Sequence, residues 1–305
     1  MLSWPDFFFS YTIYEYLPRN AVLDFFMVFI TRLGGEDFLT LLLVVLFLTA
    51  SFRLISVVHF AFFVSYFLNS ILKAIFALPR PSLEYLPLSI QPLYLSNLET
   101  SAGMPSGHAQ TGMTVYLLLA LFAKNKFLRV VLFLIAILMP ISRLYLGVHF
   151  VGDVLVGSLI GLTLSALALR WGKTYLKKHA EHFLVFTVLW LSLALGFAAW
   201  YGDKAIFVSG GSLLGYLVFA SLWGKKSNWQ DGELYNWEMS FFSVSLLIIA
   251  VGTVFLLRIS LKWLLPSWPI SDMLRYFLLV AYSAYLLPRV LQKTTQMTKG
   301  SYGGI

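Results

Sequence analysis

The sequence contains no cysteine among its 305 residues. This absence excludes disulfides, thiolate nucleophiles and cysteine-ligated metal sites. Charged residues are scarce too, at 12% of the chain, whereas a soluble domain has about a quarter. Hydrophobic residues make up 59% and the mean hydropathy is +0.80. This balance excludes an ordinary soluble globular domain and predicts a polytopic membrane protein.

The N-terminal residues also lack a basic stretch followed by an apolar core, so we expect no cleavable signal peptide. The formal net charge is +8. In a soluble protein that charge would suggest nucleic acid as a partner. In a membrane protein it indicates basic cytoplasmic loops and contact with anionic lipid headgroups, and no nucleic acid partner is expected.

Apolar segments approaching the roughly 20 residues of a membrane-spanning helix recur along the chain. They predict an all-α, polytopic transmembrane helix bundle of about nine spans, within a range of about eight to ten. Residues 1–35 predict an N-terminal interfacial helix or one more span. Residues 36–170 form the predicted five-span catalytic core, and residues 180–305 form additional transmembrane helices of unknown role. The predicted spans are 36–52, 55–78, 109–124, 127–142, 149–169, 183–201, 205–223, 239–257 and 272–292.

Lysine and arginine in alternate short loops indicate the orientation, because such residues are enriched on the cytoplasmic side. The loops after the first, third, fifth and seventh spans contain Arg53; Lys124, Lys126 and Arg129; Arg170, Lys173, Lys177 and Lys178; Lys225 and Lys226. These four loops therefore share the predicted cytoplasmic face. By alternation, the loops between them lie on the periplasmic, exterior or luminal side.

Three polar blocks lie at the ends of spans on that opposite side. Ionisable groups at membrane depth are costly and usually functional. The first block is Lys73, six residues and Arg80-Pro81; the second is Pro105-Ser106-Gly107-His108; the third is Ser142-Arg143, five residues, His149, three residues and Asp153. The alternation of loops predicts that all three blocks build one outward-facing pocket.

His149 and Asp153 are four residues apart and share a helix face. A carboxylate at that spacing can hold one imidazole nitrogen and leave the other free to attack an electrophile. Taken alone, the pair is better explained as a structural histidine at the start of a helix. The other two blocks favour the catalytic interpretation.

The second block opens a predicted span with a favoured N-cap serine and a glycine that allows close approach of a ligand. Free N–H groups at a helix start bind anions, and His108 would lie beside such an anion as a proton donor. Lys73, Arg80 and Arg143 are suited to neutralising phosphate oxygens. Taken one at a time, a Pro-Ser-Gly turn would explain the second block, and extension to the interface would explain Arg80 and Arg143. Extension explains Lys73 less well, because Lys73 lies deeper in its span.

Together, the three blocks resemble the signature of the type 2 phosphatidic acid phosphatase family, with no departure in identity or spacing. The resemblance covers roughly residues 36–170. It implies a phosphohistidine mechanism without metal or cofactor. The implied roles are His149 as nucleophile, Asp153 as its partner, and His108 as acid; Lys73, Arg80, Ser106, Gly107 and Arg143 as phosphate ligands; Ser142 and Pro105 as supporting residues.

The resemblance implies an integral membrane lipid-phosphate phosphatase that acts on a phosphomonoester or pyrophosphate. A lipid phosphotransferase would use the same site, and the identity of the lipid stays open, as does the oligomeric state. A lipid transporter or scramblase is the alternative from another class. The outer clustering of the blocks argues against it, because transporter sites usually lie near the midplane. The loop between Pro81 and Met104, with Glu84 and Glu99, is interpreted as a lid or a mobile connector.

Overall fold

The computed structural model describes residues 5–49, 52–178, 204–224, 241–265 and 268–283, and isolated positions 189, 192 and 196. Within these residues every regular element is helical, which confirms the all-α class. Besides a 3-10 turn at Leu83–Tyr85, the elements are α1 (Pro5–Tyr16), α2 (Ala21–Arg32), α3 (Glu36–Thr49), α4 (Phe52–Phe76), α5 (Gln91–Asn97), α6 (Gly107–Phe122), α7 (Lys126–Tyr145), α8 (Val151–Lys178), α9 (Lys204–Gly224), α10 (Phe241–Leu264) and α11 (Pro269–Ala281).

Three stretches of the described helices are long and apolar enough to cross a membrane: Val57–Phe76, Lys126–Tyr145 and Val151–Arg170. They correspond to the second, fourth and fifth predicted spans. A shorter apolar stretch, Lys204–Val218, lies in the seventh. Apart from isolated positions, predicted span 183–201 lies outside the described residues, as does the end of predicted span 272–292. His179 and His182, two loop histidines for which the sequence predicts no catalytic role, also lie outside them. The count of nine spans therefore stays a prediction.

The N-terminal segment folds as two helices of 12 residues each, α1 and α2. Each is shorter than the roughly 20 residues that cross a bilayer. The side chain of Asn20 caps α2 by accepting from the Leu23 N–H at 2.9 Å. We call α1 and α2 together the N-terminal hairpin.

The chain divides into two compact units, and the first contains residues 1–39 and 64–171. All three polar blocks belong to it. Helices α6 and α8 lie very close together there. A Cβ on Gly157 would be 2.7 Å from the Ser106 carbonyl oxygen, and one on Gly161 would be 2.4 Å from that of Gln110. These two glycines therefore serve helix packing, as their four-residue spacing predicts.

Buried amides tie α4 to α6 within the same unit. Asn69 donates to the Gln110 side chain at 2.9 Å and to the Pro105 carbonyl at 3.2 Å. Gln110 donates to the Ser65 carbonyl at 2.8 Å. The network satisfies polar groups that would be costly if left unpaired among apolar helices. It also fixes the turn that precedes α6.

The second unit contains residues 40–63 and 172–305. Here Gly211 and Gly215 of α9 lie against the backbone of Met273 and Phe277 in α11, so this glycine pair also serves helix packing. His59 is fully buried, with Nε2 3.0 Å from the Leu43 carbonyl oxygen. Its ring stacks on Tyr216 of α9. The contacts of His59 are those of a packing residue.

Candidate active site

The three polar blocks meet at one end of the first unit. The first begins in the last turn of α4 and continues past its end, the second starts α6, and the third joins α7 to α8. Arg80 Nη1 lies 3.0 Å from His149 Nε2, which joins the first block to the third. The Ser106 N–H donates to the Asp153 carbonyl at 3.0 Å, which joins the second to the third. The fold thus collects residues separated by up to 80 positions, from Lys73 to Asp153, into one site.

His149 is held by Asp153 in a defined tautomer. Its Nδ1 lies 3.2 Å from Asp153 Oδ2, which also accepts from the Phe150 N–H at 3.0 Å. Arginine has only donors, so His149 Nε2 must accept from Arg80 Nη1. The proton therefore resides on Nδ1 and is donated to Asp153. This leaves the lone pair of Nε2 directed at the cationic side of the site.

His149 lies in the turn before α8, with its side chain fully buried. Burial lowers the pKa of His149 well below its ordinary value, and the charges of Arg80 and Arg143 lower it further. Both effects favour the neutral imidazole over its protonated form. A neutral imidazole keeps the lone pair that a nucleophile needs.

Lys73 and Arg80 converge on the end of the loop that precedes α6. Lys73 Nζ donates to Ser101 Oγ and to the Ala102 carbonyl, each at 2.8 Å. Arg80 Nε donates to the Ser101 carbonyl at 2.8 Å. Sequence reasoning missed Ser101, since one serine in a polar loop gives no signal. Its contacts depend on how the loop folds back into the site.

Glu99 places a carboxylate where the cations converge. Its Oε2 lies 3.0 Å from Arg80 Nη2, and its Oε1 lies 2.7 Å from Arg143 Nη2 and 3.2 Å from His108 Nδ1. Burial alone would raise the pKa of Glu99, but the hydrogen bond with His108 and the charges of Arg143 and Arg80 outweigh it and lower that pKa. The carboxylate is thus an internal anion. The sequence identified Glu99 only as a loop residue.

Side-chain exposure falls steadily from Glu99 to His149. Exposed fractions are 36% for Glu99, 18% for His108, 2% for Arg143 and 0% for His149. The site therefore opens beside Glu99 and His108 and ends at the imidazole of His149. A ligand that enters by this route meets the internal carboxylate first.

Ser106 occupies the N-cap position of α6, but its side chain makes no capping bond. Its Oγ is buried and has no hydrogen-bond partner among the described residues, and the same is true of Arg143 Nε. Buried polar atoms normally have partners. Gly107 follows, where a Cβ would lie 3.1 Å from Asn69 Oδ1. These atoms are suited to a ligand rich in oxygen.

The two supporting residues differ in their contacts. The Pro105 carbonyl accepts from Asn69, which anchors the turn before α6. Ser142 donates to the Met139 carbonyl at 2.7 Å, one turn back in its own helix. The Ser142 hydroxyl therefore supports the last turn of α7 beside Arg143. Among the described residues, no group of three or more histidine or carboxylate side chains is arranged to hold a metal ion.

Comparison with known proteins gives a family match over the same region. The family model of the PAP2 superfamily matches residues 54–177. Phosphatidylglycerophosphatase B of Bacillus subtilis (strain 168) is 33% identical over 161 residues, which cover 48% of this chain and 74% of that protein.

Two solved structures are similar as well. The crystal structure of Aquifex aeolicus LpxE shares 28% identity, with 53% of this chain and 93% of that chain covered and a TM-score of 0.44. The crystal structure of the first transmembrane PAP2 type phosphatidylglycerolphosphate phosphatase from Bacillus subtilis shares 31% identity. It covers 55% of this chain and 84% of that chain, with a TM-score of 0.45.

Proposed function

Because the chain belongs to the PAP2 superfamily, we propose that it is an integral membrane phosphatase that hydrolyses a lipid phosphate through His149. One observation carries the proposal. His149 is held at Nδ1 by Asp153, while its Nε2 lies beside Arg80 in a pocket whose cations already bind an anion, Glu99. A phosphoryl group in the place of that carboxylate would meet the nucleophile and its charge-neutralising ligands together.

Substrate binding would replace the Glu99 carboxylate with phosphate. Arg80 and Arg143 would then donate to the phosphate oxygens bidentately, and Lys73 would add a point charge. The unpartnered Ser106 Oγ and the N–H groups at the start of α6 would complete the ligands. Such donors stabilise the charge spread over a phosphoryl group during transfer.

The proposed reaction has two steps. His149 Nε2 attacks phosphorus, a P–N bond forms, and the bond from phosphorus to the lipid oxygen breaks. His108 protonates that oxygen as it leaves with the electron pair. Water then attacks phosphorus and gives a proton to His108, while the P–N electron pair returns to Nε2. The products are the dephosphorylated lipid and inorganic phosphate, with no metal required.

We place the site on the non-cytoplasmic side. Lys124, Lys126 and Arg129 lie at the turn between α6 and α7, and both helices have their opposite ends at the site. The 16 residues of α6 separate the two ends by roughly 24 Å at 1.5 Å per residue. The enrichment of lysine and arginine in cytoplasmic loops supports this orientation.

The proposal is tested by phosphate release from a panel of lipid phosphates with a chelator present. We expect the purified wild type to release phosphate and His149→Ala to release none above background. The panel begins with phosphatidylglycerol phosphate, for which the Bacillus subtilis relative is named, and includes phosphatidic acid and a polyprenyl pyrophosphate. Activity that requires an added divalent cation, or equal activity of the two proteins, contradicts the proposal.

Glu99→Gln should increase affinity for phosphate. The amide keeps the shape of the side chain but removes the charge that competes for Arg80 and Arg143. We expect KM for the lipid phosphate, and the inhibition constant for inorganic phosphate, to fall by roughly tenfold, given about 1.5–3 kcal/mol for a hydrogen bond to a charged group. Steady-state kinetics of phosphate release measures both constants.

Glu84→Gln is the matched control, since it removes one charge from an exposed residue of the same loop. It should leave both constants at their wild-type values. If Glu99→Gln raises KM, or if both variants change it equally, Glu99 does not compete with phosphate for the cations.

A further inference from the structure

The N-terminal hairpin, which lies outside the residues that the PAP2 family model matches, contacts the third block directly. The Tyr14 hydroxyl donates to the His149 carbonyl, and Ser10 Oγ accepts from the Val151 N–H at 3.0 Å. Ser10 is fully buried and Tyr14 is 1% exposed. Helix α1 therefore holds the backbone on both sides of Phe150.

These contacts satisfy groups that the local helix leaves open. The first N–H groups of a helix have no partner within it. At the start of α8, Ser10 Oγ accepts from the Val151 N–H and Asp153 Oδ2 accepts from the Phe150 N–H. With Tyr14 on the His149 carbonyl, the backbone that carries the proposed nucleophile is fixed at three consecutive residues.

Helix α2 contacts a phosphate-binding cation. Thr31 Oγ1 accepts from Arg143 Nη1 at 2.9 Å, and the two side chains are buried. The other terminal nitrogen, Arg143 Nη2, donates to Glu99 Oε1 at 2.7 Å. Thr31 thus fixes one edge of the guanidinium, while the other edge faces the place proposed for phosphate.

The N-terminal segment also contacts residues next to Arg80 and Arg143. The Tyr11 hydroxyl accepts from the Ser82 N–H at 2.8 Å, two residues after Arg80. Arg19 donates to the Tyr145 carbonyl at 2.7 Å and stacks over the Tyr145 ring. Apolar packing accompanies these bonds: one buried cluster contains Tyr14, Met27, Leu86, Ile90, Tyr94, Tyr145, Leu146 and Val148.

We propose that the N-terminal hairpin is a positioning element of the active site, in which Tyr14 and Ser10 orient His149 and Thr31 orients Arg143. The inference rests on the proposed function. Its physical basis is that catalytic groups lose effectiveness when they are displaced by as little as about 1 Å. None of these hairpin residues touches the position of the reacting phosphoryl group, so they act through the groups that they hold.

Thr31→Val tests the inference, because it removes the hydroxyl and nearly preserves the shape. We expect kcat/KM to fall roughly tenfold or more and inhibition by vanadate, a mimic of the phosphoryl transition state, to weaken in proportion. Thr163→Val is the matched control, since Thr163 is exposed on α8 and its hydroxyl donates to the Leu159 carbonyl of its own helix. The control should retain wild-type values of both.

A double-mutant cycle separates positioning from stability. In the Arg143→Ala background, Thr31→Val should have almost no further effect on kcat/KM, because the group that it positions is gone. A loss as large as in the wild-type background overturns the inference, and so does a Thr31→Val variant with wild-type kinetics and vanadate inhibition.

Tyr14→Phe provides a second variant should Thr31→Val fold poorly. It should lower kcat with little change in KM, since it loosens the backbone of His149 and leaves the phosphate ligands in place. Unchanged kcat would overturn this half of the inference. If the wild type releases phosphate from no lipid, the proposed function fails. If the wild type is active and the hairpin variants have wild-type kinetics, only the inference about the hairpin is contradicted.

Discussion

Replacing His149 with glutamine should lower kcat for phosphate release by roughly 10⁴-fold or more, the scale seen when a covalent nucleophile is removed. The amide is close in size and can still donate to Asp153, so the turn before α8 should keep its shape. The loss would then arise from chemistry, because an amide cannot accept a phosphoryl group in place of Nε2. Kinetics of phosphate release from the best lipid of the panel measures the effect.

His59→Gln is a useful control, since it changes a second fully buried histidine, which belongs to the other unit and to none of the three blocks. The thermal unfolding midpoint of the detergent-solubilised protein should be compared for both variants. We expect His59→Gln to keep its kcat even where its midpoint falls. Loss of activity in both variants, in step with unfolding, would assign the effect of His149 to stability.

Arg143→Lys should lower kcat/KM by roughly 10²- to 10³-fold, although it keeps the positive charge. Lysine is a point charge and cannot present two parallel donors to a phosphate. The guanidinium also bridges two partners, with Nη1 on Thr31 and Nη2 on Glu99, and a single ammonium cannot span both. Removal of one donor to a developing oxyanion costs about 10²- to 10³-fold in other enzymes.

Arg129→Lys is the matched control for that substitution. Arg129 is exposed near the start of α7, at the opposite end of the helix from Arg143, and donates to the Ala123 carbonyl. We expect wild-type kcat/KM for this variant. If Arg143→Lys also keeps full activity, a bidentate contact from Arg143 to phosphate is not part of catalysis.

The local geometry of the site was predictable from the sequence where spacing alone determines it. His149 and Asp153 are four residues apart, and the structure joins them at 3.2 Å. The alternation of loops placed the three blocks on one side, and the structure brings them together. These features follow from the period of a helix and from the alternation of chain direction between spans, and both can be inferred from a single sequence.

Contacts that depend on how loops and distant helices pack could not be predicted. Glu99 and Ser101 reach the pocket because the loop before α6 folds inward, and an acidic or hydroxyl residue in a loop does not reveal that path. Ser10, Tyr14 and Thr31 belong to an aromatic segment without a recognisable motif. Their roles depend on tertiary packing of the N-terminal hairpin, so the sequence indicated only an interfacial helix or a further span there.

The central claim, a phosphoryl group carried on His149, is tested most directly by trapping the intermediate. The enzyme would be mixed briefly with a lipid whose phosphate is radiolabelled, quenched in alkali, digested and mapped. The account predicts an alkali-stable, acid-labile label on the peptide that contains His149, and no such label in His149→Gln. A label on another residue, or rapid phosphate release with no labelled protein at any time, would contradict it.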